Sequence, residues 1–417
     1  MPHGYFFDTS TNIAVTTDSN TFSTVFNTDY PGNQITGFQL NGVDIGLRIT
    51  PFVDLSFSTA NNYHYLINNN NINTTFSFTK PKPRVAVTNY ASISNMTLAD
   101  GDYTLYEFHH GSTGTFQLNS SIPNIVLDLK VLLIGGGGAG GQYYNNYSGG
   151  AGGGGAGSYV TTTIKAPVKT SSFTDICFNI IVGAGGAGTG TGNTSGLPGS
   201  PSIITYVSKP SIGNATYYSL TAAGGGSGGS LSNSQGIFDY ININGSTGGA
   251  CGSIYSIQYY NAYGTNAGYK NTDDNGSIFT EIACSVHRGG NTVYVYGGGG
   301  GGGAGGPGHD VSSYPGGNGG DGKTWINGVT YAGGGGGGPG PGGSNNVDSI
   351  GGSGGGGKSA VQYQGNYGDA LPNSGGGGGA AWTNSSGNGG SGICIIAVKT
   401  SDAIAPPSAP ASECAIS

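Results

Sequence analysis

The chain has 417 residues, of which 87 are glycine and only 8% are charged. Its net charge is −7 and it has no cluster of lysine or arginine, which argues against a nucleic-acid partner, because binding to phosphates needs cations. No apolar run reaches the roughly 18 residues of a membrane span, and Met1 to Gly4 lack the basic and apolar start of a secretory signal, so we expect neither.

Residues 1–124 contain little glycine and are rich in Asn, Thr, Phe and Tyr. Alternating stretches such as 52–57 and 75–78 predict strands with one buried face. Prolines interrupt this pattern at 80–84, which we interpret as a hinge. We therefore predict a β-rich attachment or assembly domain at 1–124.

From 125 to 400 apolar segments alternate with glycine tracts. The apolar segments are rich in β-branched and aromatic residues, and no long segment has the helical period, so we predict an all-β fold. Residues 401–417, rich in Pro, Ala and Ser, are predicted to form an extended tail. The strands predicted in the glycine-rich domain lie at 126–134, 159–164, 176–182, 203–207, 217–221, 293–296 and 393–398.

The glycine tracts themselves need an explanation. A polyproline-II-type helix has about three residues per turn and no internal hydrogen bonds, so its backbone groups need partners outside the helix. Glycine allows such helices to approach one another closely. We therefore predict a packed polyglycine-II helix bundle beside strands arranged as a β-sandwich or jelly roll. The alternative is that the tracts are flexible linkers.

Three segments imitate nucleotide-binding motifs: 317–324 and 352–359 match the phosphate-loop pattern, and 135–140 matches G-x-G-x-x-G. A phosphate loop needs a strand before it and a helix after it, and neither match has them. The third motif follows a strand, but no helical pattern follows and the next acid, Asp175, is too distant for a dinucleotide site. We expect no nucleotide cofactor.

Two further groups resemble metal or catalytic sites. Residues 271–276 look like half of a calcium loop, but Ile282 occupies the twelfth position, which favours a turn. Glu107 and His109 are expected on one face of a strand beside His110, and with no further ligand or nucleophile they are interpreted as structural. We predict no catalytic residue and no metal site.

The five cysteines are far apart and odd in number, and no C-x-x-C occurs. This spacing indicates neither a zinc site nor a disulfide framework. We predict reduced thiols, with Cys177 and Cys394 as small apolar residues inside strands.

Segments 131–138, 179–186 and 387–398 carry a family resemblance: each joins an apolar run to glycine. Through them, residues 125–398 resemble the glycine-rich domain of giant DNA virus proteins and of some phage tail fibres. Residues 375–382 are also similar to part of the glycine-rich extracellular region of anaplastic lymphoma kinase, where glycine helices pack against a β-sandwich. The segment NGVDIGLRI at 41–49 is similar to a unit recurring in giant-virus structural proteins, with 20–26 as a divergent second copy.

The resemblance implies a virion role without a conserved active site. We expect a non-enzymatic structural protein of a large DNA virus, as a minor capsid, capsid-associated or surface-fibre component, assembled in the host cytoplasm. Expected partners are other virion structural proteins and further copies of the chain in a homo-oligomer, for which a trimer is considered. The alternative is a phage tail-fibre adhesin that binds a host surface receptor; an ice-binding bundle and an enzyme are less favoured.

Overall fold

The computed structural model of the chain describes the strands of residues 15–79, and then residues 84–119, 125–142, 150–168, 176–190, 195–208, 216–230, 245–250, 269–271, 278–292, 297–311, 315–340, 348–360, 368–381 and 385–403. This part of the chain contains strands and no helix, so the all-β prediction is confirmed. The strands are β1 Val15–Thr17, β2 Asn20–Asn27, β3 Gln34–Leu40, β4 Val43–Asp44, β5 Asn62–Asn69, β6 Ile72–Thr79, β7 Arg84–Thr88, β8 Ser92–Leu98, β9 Gly101–Phe108, β10 Gly114–Asn119, β11 Ile125–Ile134, β12 Tyr159–Val168, β13 Ile176–Ile181, β14 Ser202–Ser208, β15 Thr216–Ala222, β16 Tyr269–Asn271, β17 Phe279–Ser285, β18 Lys323–Thr324, β19 Thr330–Tyr331 and β20 Ile393–Lys399.

The first six strands form two small antiparallel sheets. One has the order β1-β2-β3-β4 and the other is the hairpin β5-β6. The strand predicted at 75–78 falls within β6, whereas the one predicted at 52–57 lies outside the described residues.

Two six-stranded antiparallel sheets form the main body. Sheet 1 has the order β16-β15-β14-β13-β10-β7, and sheet 2 has the order β17-β12-β11-β20-β9-β8. Strands β9 and β10 pair with strands from later in the chain, β9 with β20 and β10 with β13. The division predicted at residue 124 lies between β10 and β11, which belong to these same two sheets.

A hydrophobic core lies between the two sheets. Phe116 and Phe178 of sheet 1 pack with Leu133 and Ile396 of sheet 2, and all four side chains are fully inaccessible to solvent. In the central strands of both sheets, alternate residues point into this core, as the period of two requires. The arrangement is a β-sandwich, consistent with the predicted fold class.

Sheet 1 contributes an aromatic row to this core. Phe116, Phe178, Tyr206 and Tyr218 occupy directly paired positions on four adjacent strands. Their ring centroids follow one another at 6.4, 5.4 and 5.7 Å. Tyr106 of sheet 2 meets the end of the row edge-on, 5.4 Å from Phe116, and burial raises its pKa to about 12. Cross-strand aromatic pairs of this kind set the register of the sheet.

Sheet 2 is also covered on its outer face. Leu132 and Ile395, which point away from the sandwich core, pack with Trp325, Tyr331 and Ala156 of the glycine-rich segments. The central strands are therefore buried on both faces, which explains why β11 and β20 read as continuous apolar runs rather than alternating ones.

Backbone hydrogen bonds join the glycine tracts, and the partner changes with a period of three residues. The central tract, residues 135–141, donates in turn to three neighbouring tracts. Gly135, Gly138 and Gly141 donate to Ser158, Gly155 and Gly152 of the first, Gly136 and Ala139 to Ser200 and Leu197 of the second, and Gly137 and Gly140 to Gly390 and Gly387 of the third.

The carbonyl groups of the central tract accept hydrogen bonds from three other tracts. These bonds come from residues 225–228, from Gly186 and from residues 378–381. Three tracts thus accept hydrogen bonds from the central tract and three others donate to it, so that six tracts surround its backbone. A repeat of three matches the turn of a polyproline-II-type helix; the polyglycine-II conformation stays a prediction at this point.

Glycine is needed in the tracts because the backbones approach closely. A Cβ placed on Gly154 would lie less than 3.0 Å from the carbonyl oxygen of Gly138. At Gly306, on the outside of the bundle, a Cβ would meet nothing within 4 Å. Where alanine replaces glycine, as at Ala156, its methyl group faces the apolar side of sheet 2.

The cysteines differ in part from the prediction. Cys177 is disulfide-bonded, so the prediction of a reduced thiol at this position is wrong. Cys284 and Cys394 are not in a disulfide, and Cys394 is fully buried in the sandwich core, where desolvation raises the pKa of its thiol. The cysteine spacing could not reveal the disulfide, because the pairing depends on which parts of the chain come close in space.

Candidate functional site

The phosphate-loop match at 352–359 is part of the bundle. Gly352 donates its N–H to the carbonyl of Gly334 at 2.8 Å, and other amides of this segment are paired with carbonyl groups in the same way. The ammonium group of Lys358 lies 3.7 Å from the carboxylate of Asp348. In a true phosphate loop the amides converge on the anion. Here they are used to hold neighbouring tracts together.

The other two nucleotide-like motifs are also part of the folded framework. The match at 317–324 ends in strand β18, where Lys323 donates to the hydroxyl of Ser285 at 2.7 Å. The match at 135–140 lies within the central tract, and every one of its amides donates to a backbone carbonyl.

The acid–histidine cluster has the predicted geometry but not the order of a catalytic triad. Glu107 and His109 lie 3.7 Å apart, and Ser92 donates to the same carboxylate oxygen at 2.9 Å. His110 instead forms a 2.9 Å hydrogen bond with the carbonyl of Val182. Since serine and histidine both reach the acid, the histidine is not placed between them as a general base requires. Among the residues described, no group of three potential metal ligands occurs.

Two sets of sequence features fall partly outside the described residues. Of the calcium-loop-like segment, only Asn271 is described, at the end of β16. The sequence also has three tyrosine pairs, at 143–144, 217–218 and 259–260; of these, Tyr218 is described with its side chain and belongs to the aromatic row of the core.

The structure instead shows an open polar cleft at the edge of the glycine bundle, with a volume of about 320 Å³. Three neighbouring glycine-rich segments contribute to it. The polar cleft is lined by Arg288, Gly305, Gly306, Pro307, Gly308, His309, Asp310 and Asp321.

An ion pair forms one side of the polar cleft. The guanidinium of Arg288 donates to both carboxylate oxygens of Asp310, at 2.8 and 3.2 Å. The amide of Asn291 donates to the same carboxylate at 2.7 Å. The hydrogen bond from Arg288 is the main cause that holds the pKa of Asp310 below its usual value, and the same bond raises the pKa of Arg288. The pair is therefore charged and fixed in position.

A second carboxylate lies on the opposite segment. Ser353 donates both its amide, at 3.0 Å, and its hydroxyl, at 2.9 Å, to Oδ1 of Asp321. The bond from the Ser353 amide is the main cause of the lowered pKa of Asp321. The backbone carbonyl of Asp321 accepts the amide of Gly305 at 2.7 Å, which fixes the turn at the rim. Within the described part of the chain, Oδ2 of Asp321 has no hydrogen-bond partner.

The polar cleft was not predicted from the sequence. Arg288 and Asp310 belong to no local motif, Asp321 is only a variable position of the phosphate-loop match at 317–324, and the spacing of the three matches no known ligand set. One signal was present: charged residues make up only 8% of the chain, and all three lie inside glycine tracts or within two residues of one. A charge in such a tract indicates an outward-facing position, because the interior of the bundle has no room for a side chain.

The sequence comparisons agree with this architecture. The glycine-rich domain family model matches residues 111–399, which is more than half of the chain. The chain belongs to this family. The matched range runs from just before β10 to the end of β20 and includes the polar cleft. No curated protein matches the chain. Across the described residues, no helix is long and apolar enough to cross a membrane.

Proposed function

We propose that this member of the glycine-rich domain family is a non-enzymatic structural protein of a virus particle. The specific role proposed is a minor capsid, capsid-associated or surface-fibre component of a large DNA virus, assembled in the host cytoplasm. The observation that carries the proposal is the network of backbone hydrogen bonds between glycine tracts, which includes every amide of residues 135–140 and several amides of the two phosphate-loop matches.

The energetics of the network favour a permanent structural role. One hydrogen bond contributes about 1 kcal/mol, while ordering one residue costs about 1–2 kcal/mol, so a single tract would not stay ordered. Here the tracts are held from two sides, by one another and by the outer face of sheet 2 through Trp325, Tyr331 and Ala156. A bundle built in this way is stiff, and its backbone groups have little capacity left for a substrate.

The proposed conformation of the tracts is polyglycine II. The three-residue repeat of hydrogen-bond partners and the six neighbours of the central tract support it. Hydrogen–deuterium exchange tests it directly. The amides of residues 136–141 should exchange far more slowly than those of the exposed glycines Gly111 and Gly190. Equal, fast exchange would mean that the tracts are linkers.

The virion role is tested on purified particles. Quantitative mass spectrometry should find this chain in stoichiometric amounts relative to the major capsid protein, and depleted from the soluble fraction of infected cells. Immunogold electron microscopy with antibodies to the chain then distinguishes shell, vertex and fibre. Particles that lack the chain would contradict the proposal.

The expected partners are other virion proteins and further copies of this chain. Light scattering on the purified full chain measures the oligomer; a homo-oligomer is expected, and a trimer is the state considered. The second candidate, a phage tail-fibre adhesin, is favoured by the open polar cleft, which suits contact with a receptor. It predicts binding of the purified chain to bacterial cells, which the capsid role does not.

A further inference from the structure

The polar cleft combines hydrogen-bond donors and acceptors that the fold leaves unused. Arg288 has five N–H donors, and three of them are bonded, two to Asp310 and one to the carbonyl of Gly289, which leaves two. On the other side, Oδ2 of Asp321 is an acceptor with no partner in the described part of the chain. Both residues line the same open space of about 320 Å³.

The charges of the polar cleft exclude several classes of ligand. One guanidinium against two carboxylates leaves a net charge of −1 with His309 counted as neutral, so a phosphate or carboxylate ligand would be repelled. A divalent cation needs about six oxygen ligands, and one of the two carboxylates is already occupied by Arg288. The charged lining also does not suit an apolar ligand.

What remains is a neutral ligand with many hydroxyl groups. A hydroxyl both donates and accepts, so it can bond to Oδ2 of Asp321 and to the free donors of Arg288 at once. The rings of Pro307 and His309, both solvent-accessible, add flat surfaces at the rim against which a sugar ring can pack. We propose that the polar cleft is a binding site for a neutral saccharide, recognised through Asp321 and Arg288.

The site is rigid before any ligand arrives. Asp321 is held by two hydrogen bonds from Ser353, and Arg288 by its bidentate pair with Asp310. Little side-chain freedom is therefore lost on binding, which favours affinity in a small site. This inference does not depend on the virion role: a saccharide could be bound by a capsid, a fibre or an adhesin, and particle composition says nothing about the cleft.

Two pairs of variants test the proposal on the full chain. Asp321→Asn replaces the free acceptor Oδ2 by a donor, and Asp369→Asn is its control, because Asp369 also accepts an amide of a neighbouring tract, from Asn388 at 2.7 Å, but lies outside the cleft. Gly306→Phe fills the cleft from a position where a Cβ meets nothing within 4 Å. Gly190→Phe is its control, since the nearest atom to a Cβ there is the Ser385 hydroxyl at 3.8 Å.

The probes are a glycan array, followed by saturation-transfer NMR with free glucose, galactose and mannose, and with inorganic phosphate and lysine for comparison. We expect binding to neutral saccharides that falls about tenfold or more in Asp321→Asn, the loss of a charged hydrogen bond, and disappears in Gly306→Phe. Both control variants should bind like the wild type. Absence of saccharide binding, preference for phosphate or lysine, or equal loss in the controls would overturn the proposal.

Discussion

The sandwich and the glycine bundle are ordered by opposite means. Between the sheets, large side chains such as Phe178 and Leu133 fill the space, and the backbones pair only within each sheet. In the bundle most residues have no side chain, and the backbones bond directly to one another, the central tract to six others. Sheet 2 joins the two regions, because one face packs on the sandwich core and the other on the bundle. The sandwich is therefore ordered by the packing of its side chains, and the bundle by hydrogen bonds between closely spaced backbones.

The largest effect is expected from removing a side chain in the sandwich. Phe178→Ala deletes the centre of the aromatic row and leaves a cavity, so we expect a loss of about 3–5 kcal/mol in the free energy of unfolding. Urea denaturation of the full chain measures it. Leu371→Ala, at a side chain 64% exposed on the bundle, is the control and should change little. Equal effects would mean that the sandwich core is not where stability lies.

The bundle should respond to the opposite change, the addition of a methyl group. Gly154→Ala forces a Cβ against the carbonyl of Gly138, which has to move with its whole tract. We expect the free energy of unfolding to fall by about 3 kcal/mol, and urea denaturation of the full chain measures it. Gly306→Ala, where the Cβ meets open space, should be neutral or slightly stabilising. If Gly154→Ala folded with wild-type stability, the close packing of the tracts would be contradicted.

The seam between the two regions gives an intermediate effect. The buried hydroxyl of Ser202, on strand β14, accepts the amide of Gly183 at 2.9 Å and donates to the carbonyl of Ile134 at 2.7 Å. Ser202→Ala leaves the Gly183 amide and the Ile134 carbonyl buried without the serine hydroxyl. We expect a loss of about 2 kcal/mol in the free energy of unfolding. Thermal unfolding is the measurement. Ser401→Ala, at an exposed hydroxyl, serves as the reference and should have no effect. A neutral Ser202→Ala would show that water can replace the hydroxyl at the seam.

The smallest expected effect is a pH dependence of stability, caused by two aspartates at the rim of the bundle. The pKa values of Asp310 and Asp321 are lowered from 3.8 in the folded chain. Their contribution to stability is therefore present above this pH and is lost as the pH falls through the lowered values. The double variant Asp310→Asn/Asp321→Asn should be less stable than the wild type at pH 7, and the difference should shrink below pH 3.8. Melting curves across this range are the measurement, and a constant difference would contradict this assignment.

Several strands could be predicted because their patterns are local. The strand predicted at 126–134 is β11, Ile125–Ile134, and the one predicted at 393–398 is β20, Ile393–Lys399. Their continuous apolar runs predict a buried strand, whichever strands lie beside them. The hairpin β18-β19 was missed because its two-residue strands give too short a pattern, and the seven-residue strand β17 was also missed. The strand predicted at 293–296 lies outside the described residues.

The candidate site could not be predicted in the same way. Arg288 meets Asp310 across 22 residues of chain, and Asp321 meets Ser353 across 32. Such pairings arise only when glycine tracts become neighbours, and tracts of nearly identical composition carry no local signal of which ones will pair. The same reasoning explains the wrong prediction for Cys177, which is in a disulfide despite its isolated position in the sequence.

The amino-acid sequence by itself determined the all-β class, the position of the principal strands and the need for close backbone approach, because period, composition and glycine content act within a few residues. The tertiary structure alone decided which tracts are neighbours, why sheet 2 is buried on both faces and where charged side chains meet in the polar cleft. These outcomes depend on contacts between distant parts of the chain, and the pairing that satisfies the most backbone groups at once is a property of the whole bundle.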